Sequence, residues 1–423
     1  MAGAGGGTAR GAPPRAPRPP RGGAGGTCSA RATPPRRCPC SFEAADALLL
    51  RAEVRAGAEA VRAAVRAADA LGLPEDDRLR GTIAGLQLRL DPSALPVGEH
   101  YALAEALAAR AAARGWPELE AAAKARLAVL TSNRGRPGEA LPLAEAAVAL
   151  ADRHGLGELQ VSARSPLGLI RLLSGDVDGA AAAFAELEAL GAEHGARALV
   201  AADLGWATLR WRTAAPEQAE IHAQRALARA TEAGLPLERA KALRALGNAF
   251  QRRGDHAEAA AAWRDYVAAA RDVGLTSDLP NAWTDLGSAL RSLGRLDEAE
   301  RALQRAVALH RDADQNDVIP RLNLARLYAD TERPAEGWAL VGPGGIDVAR
   351  IGWAGLRPLV LALRAALAAT LRRREDAAAA VEALLAEDWP PDPSLPEFVA
   401  LAAERLAEAG YDALAAAITR AAG

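Results

Sequence analysis

The sequence predicts an all-α protein, an elongated solenoid of antiparallel helix pairs, and three observations support this. Half of the 423 residues are hydrophobic but only 4% are aromatic, a composition that suits helices packed through small side chains. Glycines that can end helices recur every 39 or 40 residues, at Gly115, Gly155, Gly195, Gly234 and Gly274. Alanines recur with the same period about halfway between them, at Ala140, Ala180, Ala219, Ala259 and Ala299.

The first 41 residues differ from the rest, being rich in Gly, Pro and Arg with seven arginines and no acidic residue. Few apolar groups are available there to offset chain entropy, so residues 1–41 are predicted to be a disordered leader. Three sharper interpretations are weaker. The glycines near the start lack the Gly-Lys-Ser/Thr of a phosphate loop, and Cys28, Cys38 and Cys40 fall short of four zinc ligands. Arg21–Gly23 is an Arg-Gly-Gly that could bind RNA loosely. An unnatural upstream start is another origin for this stretch.

Charge and hydropathy narrow the function classes of the remaining residues. The chain has a formal charge of −2, and seven positive charges lie in the leader, so the body carries about −9. Phosphate binding depends on clustered positive charge, so no nucleic-acid partner is expected for the body. No apolar run approaches the roughly 20 residues of a membrane span, and no signal peptide precedes the body. We therefore expect a cytoplasmic protein with no membrane partner.

The repeated unit reads as helix, tight turn, helix, loop. The turns that precede the alanines open with Gly135, Gly175, Gly254 and Gly294, and the alanine early in each second helix predicts close approach to the first helix. His154 and His194 precede two of the helix-ending glycines, where an imidazole interacts favourably with the last carbonyls. We expect these two histidines to be structural.

The best-preserved repeat is WTDLGSAL, with Trp283, Leu286 and Gly287, followed by Gly294 and Ala299. The preceding repeat has Leu243, Leu246, Gly247 and Phe250, then Gly254, Ala259 and Trp263; weaker copies begin at Leu167 and Leu324. This pattern resembles the tetratricopeptide repeat (TPR) family, whose unit has about 34 residues. The longer unit is similar to repeats of large bacterial signalling regulators and kinesin light chains. The resemblance implies a right-handed superhelix.

The repeats extend beyond this central part in both directions. Ala60 and Gly98–Tyr101 keep the register toward the N-terminus, which predicts one repeat array over residues 42–340. The loop Val341–Asp347 then shortens a second helix, Arg374–Ala377 reads as a turn, and Pro396–Ala422 reads as a last pair around Gly410. Residues 341–423 are therefore predicted to be degenerate repeats and capping helices. We expect nine or ten helix pairs in all.

In the resembled family the first helix of each pair lines a concave groove, which implies where a partner would bind. The polar residues that this register places in the groove are Lys241, Arg244, Asn248, Gln251, Asn281, Thr284, Ser288 and Arg291. Toward the N-terminus the same face becomes apolar, with Leu169, Leu172 and Trp211, while Trp206 is expected in the core. A basic, amide-rich strip would suit an acidic or extended peptide.

Two of these residues, Arg244 and Asn248, resemble the basic residue and asparagine with which some family members clamp a peptide carboxylate. Asp285 and Ile319 stand where further amide and basic groups would be needed, so the clamp is incomplete. A solvated polar helix face is the alternative interpretation of each groove residue.

Motifs of catalysis do not occur in the sequence. There is no His-Glu-x-x-His, Gly-x-Ser-x-Gly, Cys-x2-Cys or Walker loop, and no two of the six histidines are four residues apart. We therefore expect no enzyme, no cofactor and no metal. The predicted function is a scaffold or adaptor that binds a protein or peptide. The alternatives are the sensor or oligomerisation arm of a bacterial signalling system and, from another class, a helical enzyme.

Overall fold

The computed structural model describes residues 54–90, 97–312, 316–351, 355–387, 389 and 394–422. The predicted leader, its three cysteines and its Arg-Gly-Gly lie outside these residues. The described part forms nineteen α-helices and a 3-10 turn at Val348–Arg350. The helices are α1 Val54–Ala70, α2 Arg78–Arg89, α3 Val97–Arg114, α4 Pro117–Asn133, α5 Pro137–Arg153, α6 Gly157–Leu173, α7 Val177–Ala189, α8 Gly191–Arg212, α9 Pro216–Glu232, α10 Pro236–Arg253, α11 His256–Val273, α12 Leu279–Ser292, α13 Leu296–Asp312, α14 Val318–Asp330, α15 Pro334–Val341, α16 Leu356–Thr370, α17 Arg374–Leu385, α18 Leu395–Glu408 and α19 Asp412–Ala422.

After α1 the helices are arranged in nine pairs, from α2 with α3 to α18 with α19, and most helices pack mainly on their neighbours in sequence, whereas α18 packs mainly on α16. Successive first helices of the pairs also contact each other, most weakly α10 and α12, whereas among the second helices comparable contact occurs only between α17 and α19. The first helices therefore form the shorter, inner side of the array, which we call the inner face. The predicted α-solenoid is confirmed, with contacts that are mostly local.

Small residues at the helix crossings explain why the repeats pack closely. The five alanines that begin the second helices are at most 1% exposed. A Cβ atom added to Gly247 would lie 2.7 Å from the ring of Trp263, and one added to Gly287 would lie 2.6 Å from Leu303. The small residue of a first helix thus receives the large side chain of the second helix, as the repeat pattern predicts.

The helix ends follow the glycine register with two local differences. Gly115, Gly155, Gly234 and Gly274 all have positive φ beyond a helix end, in the region that favours glycine. Gly195 also has positive φ, but α7 already ends at Ala189 and Gly195 kinks the first turns of α8. The second difference is near the C-terminus, where residues 371–373 form the turn and Arg374 already begins α17. The prediction of a turn at Arg374–Ala377 was wrong by one helical turn.

The C-terminal part is organised around a short second helix. Helix α15 has eight residues and ends at Val341, and the chain then crosses a loop in which Ile346 and Ile351 are buried. The guanidinium of Arg364 donates hydrogen bonds to the carbonyl oxygens of Val341 and Ile346. This arginine replaces the missing turns of α15 as the partner of the loop backbone. Within the described residues, none of the helices is long and apolar enough to cross a membrane.

Candidate functional site

The inner face opens at one step of the array, between α10 and α12. Contact between consecutive first helices is weaker here than at any other step. The connection from α11 to α12 spans five residues, 274–278, whereas the corresponding connections before α6 and α10 span three. We call the resulting surface the α10–α12 seam, and it is lined by Lys241, Arg244, Asn248, Asn281, Asp285 and Ser288.

Most of the predicted groove residues lie on the surface of the inner helices, but two do not. Lys241, Arg244 and Asn281 are exposed, and the half-buried set comprises Asn248, Gln251, Ser288, Arg291 and Trp211. Thr284 is only 5% exposed, and its hydroxyl donates a hydrogen bond to the Pro280 carbonyl within α12. Because this side chain points into the helix packing, the polar surface of α12 continues through Asp285 instead.

The apolar half of the predicted groove also differs from the expectation. Leu172 is only 5% exposed and belongs to the core around Phe184, so it offers no surface to a partner. Trp206 packs against the same core and stacks on His222 with ring centroids 6.0 Å apart. Trp211 is half-buried, and the guanidinium of Arg252 lies 5.7 Å from its ring centroid, a cation–π distance. Of the predicted apolar residues, Trp211 and Leu169 are half-buried, and Leu169 packs against the Phe184 core.

Two of the predicted contact residues are occupied by partners within the chain. The Gln251 side-chain oxygen accepts a hydrogen bond from the indole nitrogen of Trp263 at 3.3 Å. Arg291 pairs with Asp330 at 2.9 Å and lies 3.7 Å from Glu397, which comes from the first turn of α18. Arg291 therefore ties the end of the array to α12, and its charge is already balanced.

Asp278, in the connection before α12, organises the seam. One of its carboxylate oxygens accepts a hydrogen bond from the hydroxyl of Tyr266 at 2.8 Å and from Arg244 at 3.3 Å. The other oxygen accepts one from the Asn281 amide at 3.3 Å. Asp278 thus neutralises Arg244 and holds α10, α11 and α12 around one carboxylate. Arg244, the basic residue of the incomplete carboxylate clamp, therefore already has an acidic partner within the chain.

Asp285 lies one helical turn beyond Asn281 and has a different environment. No hydrogen bond or ion pair joins it to any described residue. Burial, reinforced by the nearby negative charge of Asp278, raises the pKa of Asp285 from 3.8 to about 7, and Arg244 opposes this only in part. At neutral pH this carboxyl group is therefore divided between its neutral and charged forms.

Lys241 is the corresponding basic group on α10. Its side chain reaches solvent, but the walls of the inner face desolvate it, and this burial lowers the pKa of Lys241. Glu238 opposes the effect, whereas Arg244 and Arg197 add to it. No ion pair within 4.0 Å involves Lys241 in the described part of the chain. The seam consequently presents one ammonium and one carboxyl group that form no ion pair within the described chain.

A second ionic cluster lies between α8 and α9. Asp203 is 1% exposed, and it pairs with Arg229 at 2.5 Å, with Arg225 at 3.3 Å and with the His222 ring at 3.3 Å. All three partners are on α9, so the cluster fastens one pair of helices together. It is a structural cluster, because its buried acid is surrounded by partners.

Sequence reasoning missed Asp278 and Tyr266, which position the seam. Their register offers no signal, because Asp278 lies in a connection and Tyr266 is on a second helix. The sequence did single out Asp285, as an acid where the carboxylate clamp needs an amide. Among the described residues, no group of three or more His, Cys, Asp or Glu side chains is placed to hold a metal ion.

Comparison with known structures identifies the architecture. The apo form of the quorum sensor NprR from B. thuringiensis has a TM-score of 0.51 and 13% identity, covering 83% of this chain and 98% of that one. A signal transduction ATPase with a tetratricopeptide repeat sensor, from Pyrococcus horikoshii, has a TM-score of 0.51 and 15% identity. The match covers 85% of this chain and 55% of the ATPase chain. The chain has the tetratricopeptide-repeat fold.

Other comparisons add little to the TPR assignment. The match to a Rap protein complexed with competence and sporulation factor covers 91% of this chain and 96% of the Rap chain, at 13% identity and a TM-score of 0.46. No protein-family model matches the sequence, and no curated protein matches it. Identities this low show a shared fold and no more. The right-handed sense of the superhelix remains a prediction.

Proposed function

We propose that this TPR protein is a non-catalytic scaffold that binds an extended peptide, or a peptide-like segment of a protein, on its inner face at the α10–α12 seam. The observation that carries the proposal is the coincidence of three features at one step of the array. The first helices separate there, the inner face is polar, and two charged groups have no partner within the described chain.

The chemistry of the seam suits a peptide backbone as well as its side chains. The amide of Asn248 has no hydrogen-bond partner among the described residues, and an amide can donate to a peptide carbonyl and accept from a peptide N–H. Ser288 lies at the corresponding position of α12, one repeat later, and its hydroxyl can do the same. An extended peptide needs such partners because it brings unpaired backbone groups with it.

The framework around the seam is held before a partner arrives. Asp278 fixes Arg244, Tyr266 and Asn281, while Arg291 is fixed by Asp330. A surface whose rotamers are already fixed loses less conformational entropy when it binds, so less of the interaction energy is spent on ordering. This favours a binding surface over a merely solvated helix face.

The proposal is tested by selecting random twelve-residue peptides on the immobilised protein and measuring their affinity by fluorescence polarisation. A Lys241→Ala, Asn248→Ala double variant should weaken the selected peptides at least tenfold. The matched control is Arg305→Ala, which removes a cation from an exposed position of α13 on the outer side. The proposal fails if the double variant and the control bind the peptides equally well.

The alternative proposal is that the chain is the sensing or oligomerisation arm of a bacterial signalling system. It is supported by the sensor proteins that share the fold, although they share the fold alone. Reading frames adjacent to the coding sequence would distinguish the two, because a sensing arm should accompany an ATPase, kinase or DNA-binding protein. The non-catalytic part of the main proposal would be overturned by hydrolase or phosphatase turnover that persists through purification.

A further inference from the structure

The charge balance of the seam differs from the basic strip that the sequence predicts. Arg244 is neutralised by Asp278, and Arg291 is neutralised by Asp330 with Glu397 close by. Neither guanidinium is left to attract an acidic partner. The electrostatic preference of the seam is therefore determined by the groups that remain, Lys241 and Asp285.

Asp285 is the more informative of these two groups. Aspartates elsewhere on the inner side have donors: Asp278 accepts from three side chains, and Asp330 pairs with Arg291 and Arg326. Asp285 has none within the described chain, although it is half-buried on α12 and the negative charge of Asp278 acts on it. A carboxylate in such a place destabilises the folded chain unless a cation or a donor neutralises it. The free protein therefore bears the free-energy cost of an unpaired Asp285 carboxylate, and a bound cation would reduce that cost.

We infer that the α10–α12 seam selects peptides that carry a basic side chain, and that the Asp285 carboxylate receives the ammonium or guanidinium group. The inference rests on the proposed peptide-binding function and specifies its ligand chemistry. The placement supports it, because Asp285 lies about two turns along α12 from the Asp278 hub and one turn beyond Asn281. A basic side chain entering there meets a free carboxylate.

The recognition is electrostatic and needs little rearrangement. Arg244 cannot neutralise Asp285 fully because Asp278 already engages its guanidinium. An incoming guanidinium can form two parallel hydrogen bonds with a carboxylate, whereas an ammonium acts as a point charge. We therefore expect arginine to be preferred over lysine. Lys241, at the start of α10, disfavours a second basic residue and favours an acidic or carbonyl group near it.

The test uses four synthetic decapeptide pools whose fifth residue is arginine, lysine, norleucine or glutamate, the other positions being equimolar mixtures. Each pool is equilibrated with immobilised full-length protein, and the retained fraction is quantified by mass spectrometry at pH 8. The wild-type protein should retain the arginine and lysine pools at least fivefold more than the norleucine pool. In Asp285→Asn the preference should fall below twofold.

The matched control is Asp297→Asn, which removes the same charge from an exposed position in the first turn of α13. It should keep the wild-type preference, and circular dichroism should show that both variants remain helical. Equal retention of the basic and norleucine pools by the wild type would overturn the inference, as would an unchanged preference in Asp285→Asn. If the pools bind without a basic preference and Lys241→Ala, Asn248→Ala still weakens them, the groove stands and only this inference fails. If no pool binds, both fall.

Discussion

The packing of Phe184 gives the sharpest test of how the repeats hold together. This fully buried ring lies between Gly168 on α6 and Gly205 on α8. A Cβ atom added to Gly168 would lie 2.3 Å from the ring, and one added to Gly205 would lie 2.2 Å from it. Carbon atoms in contact are about 3.5–4.0 Å apart, so in Gly168→Ala the ring must move by more than about 1 Å. Gly205 blocks the opposite direction, because the α8 backbone is already in contact there.

The expected effect of Gly168→Ala is a loss of stability. Overpacking a core costs about 1–3 kcal/mol, whereas alanine gains about 1 kcal/mol over glycine in a helix interior. We therefore expect a net loss of about 1–2 kcal/mol in the free energy of unfolding. Urea denaturation followed by circular dichroism measures it by linear extrapolation.

Two further variants separate the packing effect from other causes. Gly138→Ala is the matched control, since nothing lies within 4 Å of its added Cβ, and it should be neutral or slightly stabilising. In a Phe184→Leu background the alanine at position 168 should cost less than about 0.5 kcal/mol, so that the two substitutions couple by about 1 kcal/mol. If Gly168→Ala behaved like Gly138→Ala, the interlocking of α6, α7 and α8 around Phe184 would be refuted.

Three other predictions concern the ionic groups. Asp285→Asn should raise the free energy of unfolding at pH 8 by about 2 kcal/mol, and the pKa shift sets an upper limit of about 4 kcal/mol. At pH 4 the substitution should have little effect. Urea denaturation at the two pH values measures both. The sign follows because the raised pKa of Asp285 makes the folded state bind its proton more tightly than the unfolded state, so stability falls as pH rises from about 4 to 7. An equal effect of the substitution at both pH values would contradict the raised pKa as its cause. Asp203→Ala should lower the free energy of unfolding by about 2–4 kcal/mol, because it leaves the arginines and histidine of α9 facing each other without an acid. A thermal melt unchanged from wild type would show that the cluster adds nothing to stability. Arg326→Ala removes contacts to Asp330 at 3.2 Å and Glu397 at 3.0 Å, so amide exchange should accelerate in α18 and α19 while α4 to α7 stay protected; uniform acceleration along the chain would contradict nearest-neighbour stability.

The candidate site shows where pattern reasoning loses accuracy. A constant register assigned Thr284 to the groove because it lies 40 residues after Arg244. The register holds around it, since Ser288 lies 40 residues after Asn248 and both are half-buried, but the short Thr284 side chain is covered and donates to the Pro280 carbonyl, while Asp285 borders the seam. Leu172 failed for a similar reason, because a leucine gives no sign of which helix covers it. Arg244 was correctly placed on the surface, but its engagement by Asp278 depends on a contact made across 34 residues.

The sequence by itself determined the architecture. Helix-ending glycines and buried alanines recur with a 40-residue period because each turn and each close helix crossing imposes the same local requirement, so the α-solenoid could be predicted before any contact was known. Tertiary structure alone decided which inner charges are neutralised. The separation of α12 from α10 decides whether Arg244 forms an ion pair with Asp278. It also decides whether Asp285 accepts a hydrogen bond from any donor. That separation is set by the packing of several helices, so neither residue carries its outcome in its own sequence neighbourhood.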